Sequence, residues 1–145
     1  VDLETLLRES DFVTVHSPLT PETQNLIGAR EFGLMKNTAF IINCARGPLI
    51  DEEALYRALT SGTIAGAGLD VVVDASPPVD YELLQLENVI ITPHTAFFSR
   101  EAVLELEERA AGEVVSVLSG KMPDNLVNKE VLNHPKPRHG LKRAS

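Results

Sequence analysis

The sequence predicts an α/β fold built on a parallel, doubly wound sheet, and three observations point to it. Short runs rich in Val, Ile and Phe alternate with stretches of helical spacing along the chain. The run Ala39-Phe40-Ile41-Ile42 is apolar on successive residues, as in strands of a sheet covered on both faces. Each strand-like run ends in polar side chains, and in an open parallel sheet ligands sit outside the carboxyl ends of the strands.

Asp2 is placed to cap a short helix whose Leu3, Leu6 and Leu7 share one face. Phe12-Val13-Thr14-Val15 reads as a strand that ends at His16-Ser17-Pro18, and Pro18 and Pro21 hold Leu19 to Thr23 as a loop. A short helical stretch spans 30–36, with Phe32 and Met35 inward. The second strand covers 38–44 and leads into a turn carrying Arg46. The helix over 51–61 buries Ala54, Leu55, Ala58 and Leu59, has acids in its first turn and stops at Gly62. A third strand over 64–69 is rich in small residues, so something packs closely on it, and it ends at Asp70. A loop over 74–80 leads to a small helix around 81–86, and the fourth strand, Val89-Ile90-Ile91-Thr92, ends at Pro93-His94. Ser99 caps the longest helix, whose stripe is Val103, Leu106, Ala110, Val114 and Val117 and whose end is Gly120.

Composition excludes several classes of function. The 145 residues are 43% apolar and 23% charged, an ordinary composition for a soluble domain. A net charge of -8 argues against nucleic acid as a partner, since polyanion binders need a basic footprint. No apolar run approaches the roughly 20 residues of a membrane span, and no signal-peptide pattern opens the chain, so cytoplasmic residence is the default expectation. Cys44 is the single cysteine, and His16, His94, His134 and His139 have no zinc-type spacing with it, so no metal is expected. Residues 136–145 carry Lys136, Arg138, Lys142 and Arg143 and no acid, which reads as a solvated, flexible end. The chain begins at Val1, on a helix, and reads as a piece of a longer polypeptide.

The strand ends carry the chemistry: His16-Ser17, Asn43 to Arg46, Asp70 and His94. Arg46 offers a planar fork of donors that matches a carboxylate, against the plain reading of a surface arginine in a loop. His94 is a side chain that can give and take a proton near neutral pH. Asp70 can accept hydrogen bonds from an amide or a cofactor. A carboxylate grip, a proton donor and an amide acceptor together suit reduction of a 2-keto acid by a nicotinamide. Cys44 beside His16 has the look of a nucleophile pair, but a cysteine ending a buried strand reads as packing. His134, His139 and the acidic face of the last helix read as solvated surface.

Four stretches carry a resemblance. They are His16-Ser17-Pro18-Leu19-Thr20-Pro21-Glu22-Thr23, Asn43-Cys44-Ala45-Arg46-Gly47 through Asp51, Ala65-Gly66-Ala67-Gly68-Leu69-Asp70-Val71, and Asn88 through Ala96. From Asp11 to about Asn128 the chain resembles the D-isomer-specific 2-hydroxyacid dehydrogenase family, in the second half of its Rossmann-like NAD-binding domain. The resemblance implies that residues 1–121 are that half-domain, with the long helix 99–120 included, and that 122–145 form a C-terminal tail. It implies that Arg46 binds the substrate carboxylate, that His94 is the acid/base, and that Asp70 contacts the nicotinamide carboxamide. His16, Ser17, Pro18, Thr23, Cys44 and Ala45 would line the cofactor, with Arg46, Asp70, His94 and Ala96 completing the set. The implied cofactor is NAD; the residue that selects NAD over NADP lies outside the matching stretches, so NADP stands beside it. A small 2-keto or 2-hydroxy acid and a second copy of the protein, as a homodimer, are the implied partners.

Two departures qualify the match. The family places a catalytic glutamate and then proline five and six positions after the aspartate, and here those positions are Ala75 and Ser76. Asp74, one residue early and shorter, is the candidate replacement; without one, a weaker enzyme is expected, whose ketone reduction falls off at lower pH than in relatives. The glycine-rich pyrophosphate motif is also missing, because Gly66-Ala67-Gly68 lies inside a strand. The isolated chain is therefore expected to be inactive. Phe97 and Phe98 resemble the aromatics after the histidine in D-lactate members, as pocket or core residues. The competing expectation is a corepressor-like, NAD(H)-sensing interaction protein on the same fold, to which Met122 to Lys129 is similar.

Overall fold

In the computed structural model, residues 1–133 are described. The expected flexible basic end, with His134 and His139, lies outside them. Four strands, β1 (Phe12–Val15), β2 (Phe40–Asn43), β3 (Gly66–Leu69) and β4 (Val89–Ile91), form one parallel sheet in the order β1-β2-β3-β4. The helices between them are α1 (Leu3–Glu9), before the sheet, then α2 (Ala29–Phe32) and α3 (Glu52–Thr60); α4 (Arg100–Leu118) comes last. The register pairs Val15 with Asn43, Asn43 with Leu69 and Leu69 with Ile91. The strands therefore finish level, and His16, Cys44, Asp70 and Thr92 come next in a row along one edge.

Local chemistry sets the helix boundaries. The Asp2 carboxylate accepts the Thr5 N–H at 2.8 Å, and Asp51 does the same for Ala54 at 3.0 Å, each satisfying a donor that the first turn leaves free. Gly62, at φ +71°, ends the run after α3 in a left-handed conformation that costs glycine little. The core lies on one face of the sheet, where Val13, Val15, Ile41 and Leu69 meet Leu7, Ile27, Phe32, Leu55 and Ile64.

Two expectations are corrected. The sheet is not covered on both faces among the described residues: Phe12, Phe40 and Ile90 are 66%, 40% and 71% exposed. Successive apolar residues show that both faces are apolar, and here only one of them is packed. The close packing expected over the third strand is real and local: a Cβ on Gly66 would come within 2.8 Å of the Phe40 ring and 2.7 Å of the Asn88 carbonyl. The apolar stripe of the long helix is also not buried; α4 has no buried residue, although Ser99 caps it through Ala102 N–H at 3.1 Å as expected. The chain divides into two compact units, Val1–Ala96 and a second that begins at Phe97.

Candidate active site

The turn after β2 is built on a buried amide. Strand alternation turns Asn43 inward, where it is 1% exposed, and a buried polar side chain needs partners. Its Nδ2 donates to the Arg46 carbonyl at 2.9 Å and its Oδ1 accepts the Ala45 N–H at 3.0 Å. The amide thus closes a loop around Cys44 and Ala45 and leaves the Arg46 side chain exposed beyond the strand end. Arg46 Nη1 donates back to the Ala45 carbonyl at 2.6 Å. Gly47 comes next, at a point where a Cβ would lie 2.2 Å from the Val72 carbonyl carbon, so the Arg46 turn and the segment after β3 touch backbone to backbone. Glu52, the first residue of α3, accepts the Val73 N–H at 2.6 Å and ties the same two segments a second time.

The turn after β4 is built on a buried carboxylate. Asp70 is 4% exposed. Its Oδ1 accepts the Thr92 hydroxyl at 2.5 Å and the Thr95 N–H at 2.7 Å, and its Oδ2 accepts the Ala96 N–H at 2.9 Å. Its main-chain carbonyl accepts the His94 N–H at 3.0 Å. Burial pushes this carboxyl up, but the Thr92 hydroxyl, the Ala96 and Thr95 amides and the nearby His94 outweigh it and hold it below the ordinary aspartate value. His94 itself sits at φ +56°, a conformation that a non-glycine residue keeps only where its surroundings fix it.

Two hollows flank these turns. One, of about 580 Å³, is lined by His16, Ser17, Pro18, Leu19, Cys44, Ala45 and Arg46, at the ends of β1 and β2. The other, of about 320 Å³ and mostly apolar, takes in Asp70, Ala75, Thr92 and His94 with Val72 and Leu84 among its walls. Arg46 and His94 stand on strand ends separated by β3, two strand spacings or about 10 Å apart at the backbone.

Not every expected residue joins these hollows. Thr23 lies outside both; its hydroxyl donates to the Pro18 carbonyl at 2.7 Å and so shapes the loop after β1. Asp74 is exposed and accepts the N–H of Ser76 at 3.0 Å within its own loop, while Ala75 lines the His94 cavity. Cys44 is exposed in the first hollow, not packed in the core, because alternation along β2 buries Asn43 instead. His16 Nε2 lies 2.8 Å from the Thr14 hydroxyl. Sequence reasoning placed Asn43 at a strand end without giving it a role, and it passed over the roles of Gly47 and Thr92. The signal for Asn43 was present, as a lone amide on the inward side of an apolar strand.

The first hollow fits one side of a dinucleotide. It lies at the carboxyl ends of two adjacent parallel strands, is within the size range of cofactor clefts, and presents donors from His16, Ser17 and Arg46. Among the described residues no cluster of His, Cys, Asp and Glu could hold a metal, and no helix is long and apolar enough to cross a membrane.

Residues 1–96 match the model of the D-isomer specific 2-hydroxyacid dehydrogenase NAD binding domain. The chain is 48% identical over 132 residues to a glyoxylate reductase of Korarchaeum cryptofilum, covering 91% of this chain and 40% of that protein. It is 49% identical over 130 residues to a glycerate dehydrogenase of Methylorubrum extorquens, covering 88% and 41%. Its fold superposes on a crystal structure of D-lactate dehydrogenase with NAD+ from Lactobacillus jensenii with a TM-score of 0.81, at 36% identity, over 89% of this chain and 43% of that one. The chain thus spans about two fifths of the relatives it matches. Four level strand ends, an arginine and a histidine on the same edge, and a family model that covers the whole first unit agree: this chain belongs to the D-isomer specific 2-hydroxyacid dehydrogenase family, in its NAD binding domain.

Proposed function

We propose that the protein to which this chain belongs interconverts a small 2-keto acid and a D-2-hydroxy acid with NAD(H), NADP(H) being the alternative cofactor. The observation that carries the reading is the placement of Arg46 and His94 on one edge of one sheet, each held by a buried side chain. Bound nicotinamide would supply the hydride. Arg46 holds the substrate carboxylate through its planar pair of donors, which fixes the keto carbon relative to the edge of the sheet. His94 donates a proton to the keto oxygen as reduction proceeds and takes it back in the reverse direction. His16, Ser17, Pro18, Cys44, Ala45 and Arg46 form the cofactor wall, with Ala96 beyond the His94 turn; Thr23 contributes by shaping the loop after β1.

Asp70 supports the turn with both oxygens, so in this reading its contact with the carboxamide uses the lone-pair capacity that three hydrogen bonds leave over. Asp74 is the acid next to Ala75 in sequence, and its hydrogen bond to Ser76 weighs against a catalytic role. The half-domain extends in this reading to residue 121, and the whole protein works as a cytoplasmic homodimer.

Ala75 and Ser76, at the family's glutamate and proline positions, favour a second reading: an NAD(H)-sensing protein with little turnover. One experiment separates the two. The full-length protein is offered NADH with glyoxylate, hydroxypyruvate and pyruvate, and NADH oxidation is followed. Turnover that falls at least a hundredfold in kcat/KM in Arg46→Gln supports the enzyme; tight NADH binding without turnover on any keto acid supports the sensor.

A further inference from the structure

We propose that Thr92 is a positioning residue for His94, acting through Asp70 and touching neither substrate nor cofactor. The inference rests on the reading of His94 as the proton donor of the site. The hydrogen bonds of Asp70 straddle His94 along the chain: Thr92 lies two residues before it, Thr95 and Ala96 one and two after. Between them the His94 N–H is held by the Asp70 carbonyl at 3.0 Å and the Thr92 carbonyl at 2.9 Å. A left-handed φ at a β-substituted residue costs energy, so the turn keeps this shape only while its surroundings over-determine it.

Thr92 is where the sheet's geometry enters that turn. Its N–H donates to the Leu69 carbonyl at 2.9 Å, continuing the β3–β4 ladder one residue past Ile91. Its hydroxyl then donates to the same Asp70 oxygen that accepts Thr95. The Thr95 and Ala96 amides alone would tie the turn to Asp70 at the end of β3 and leave the end of β4 without a link to the carboxylate. The hydroxyl anchors Oδ1 to the strand, and a short bond to an ionised acceptor is among the stronger kinds. The lowered pKa of Asp70 agrees, since Thr92 is the foremost of the groups that lower it.

Thr92→Val keeps the β-branched shape and removes the hydroxyl. In the full-length protein it is expected to lower kcat for glyoxylate about tenfold, the cost of one hydrogen bond to a charged group, with KM unchanged because the Arg46 turn is held separately. The acidic limb of the pH profile moves to higher pH, because Asp70 loses a group that favours its charged form. Amide hydrogen exchange at Thr95 and Ala96 speeds up about tenfold, with no change in α3. Thr92→Ser restores all three. Thr92→Ala, which introduces no packing strain, shows the same exchange pattern as Thr92→Val. Wild-type kcat, pH profile and exchange in the valine variant overturn the proposal, as does wild-type exchange in the alanine variant or failure of serine to restore. If the wild-type protein reduces no 2-keto acid, the proposed dehydrogenase function falls. Exchange at Thr95 and Ala96 still decides the positioning: faster with serine rescue supports it, unchanged overturns it.

Discussion

The turns after β2 and β4 do the same job with different chemistry. Each projects one candidate functional side chain, Arg46 or His94, past the end of a parallel strand, and each is organised by a buried polar residue hydrogen-bonded to the main chain. Asn43 does it with a neutral amide that both gives and takes, so the geometry around Arg46 is indifferent to pH. Asp70 does it with a carboxylate that only accepts, so the geometry around His94 depends on ionisation. Because the hydrogen bonds hold Asp70 below its ordinary value, its contribution to stability is complete above the normal carboxylate range. It fades as pH falls through the lowered value. Acid should therefore loosen the His94 turn before the Arg46 turn, which amide exchange at Ala96 and at Ala45 across an acid titration would show. Equal loosening of both would break the contrast.

The largest effect is expected where the Arg46 turn meets the segment that follows β3 and Asp70. Gly47→Ala places a Cβ 2.2 Å from the backbone of Val72, and no rotamer relieves a clash with main chain. About 3 kcal/mol of stability is expected to be lost, as measured by urea denaturation of the full-length protein. A neutral outcome would mean that the two segments move independently and that the Gly47–Val72 contact does not couple them.

Asn43→Ala comes next. It leaves the Ala45 N–H without its acceptor and the Arg46 carbonyl with the Leu49 N–H alone, at 3.2 Å, a loss of about 2 kcal/mol. KM for the keto acid is expected to rise while the rate step at His94 is spared. If kcat falls instead, the amide supports more than the arginine.

Much of this arrangement was legible in the sequence. The four strands, their parallel order and the polar residues at their ends follow from alternation and from runs such as Ala39 to Ile42. The caps at Asp2 and Ser99 follow from short-range chemistry that needs no tertiary context, while Asp51, read as the first residue of its helix, is the cap. Partnership across the chain could not be read. Asp70 and Ala96 lie 26 residues apart, and nothing local says that one carboxylate holds the other's turn. Gly47 reads as an ordinary turn glycine until Val72 is seen against it. The stripe on α4 marks a face suited to burial, and periodicity alone cannot say whether this chain covers it.

Ala75 sharpens the comparison from the His94 side. It lines the same cavity as His94, so Ala75→Glu would bring a second carboxylate beside the imidazole. A nearby negative charge favours the protonated ring, and reduction should persist to higher pH, by about tenfold in rate on the basic limb. The Arg46 turn is untouched, so KM should hold. A profile identical to wild type would show that the loop carries the new side chain away from the ring.

The smallest effect separates the two turns from the other direction. Asp51 caps α3 four residues after Gly47, and its carboxylate accepts the Ala54 N–H at 3.0 Å. Asp51→Ala removes that acceptor and the favourable charge at the helix start, at a cost of about 1 kcal/mol. The loss falls on the segment just after Arg46, and α3 also carries Glu52, which holds Val73. If the helix start is only an end cap, thermal stability drops slightly and kcat and KM stay put. If the cap also fixes Glu52, the Val73 amide exchanges faster in the variant while Thr95 and Ala96 do not. That pattern would place the coupling of the Arg46 turn to the segment after β3 in the Gly47–Val72 and Glu52–Val73 contacts and leave the Asp70 network an independent unit.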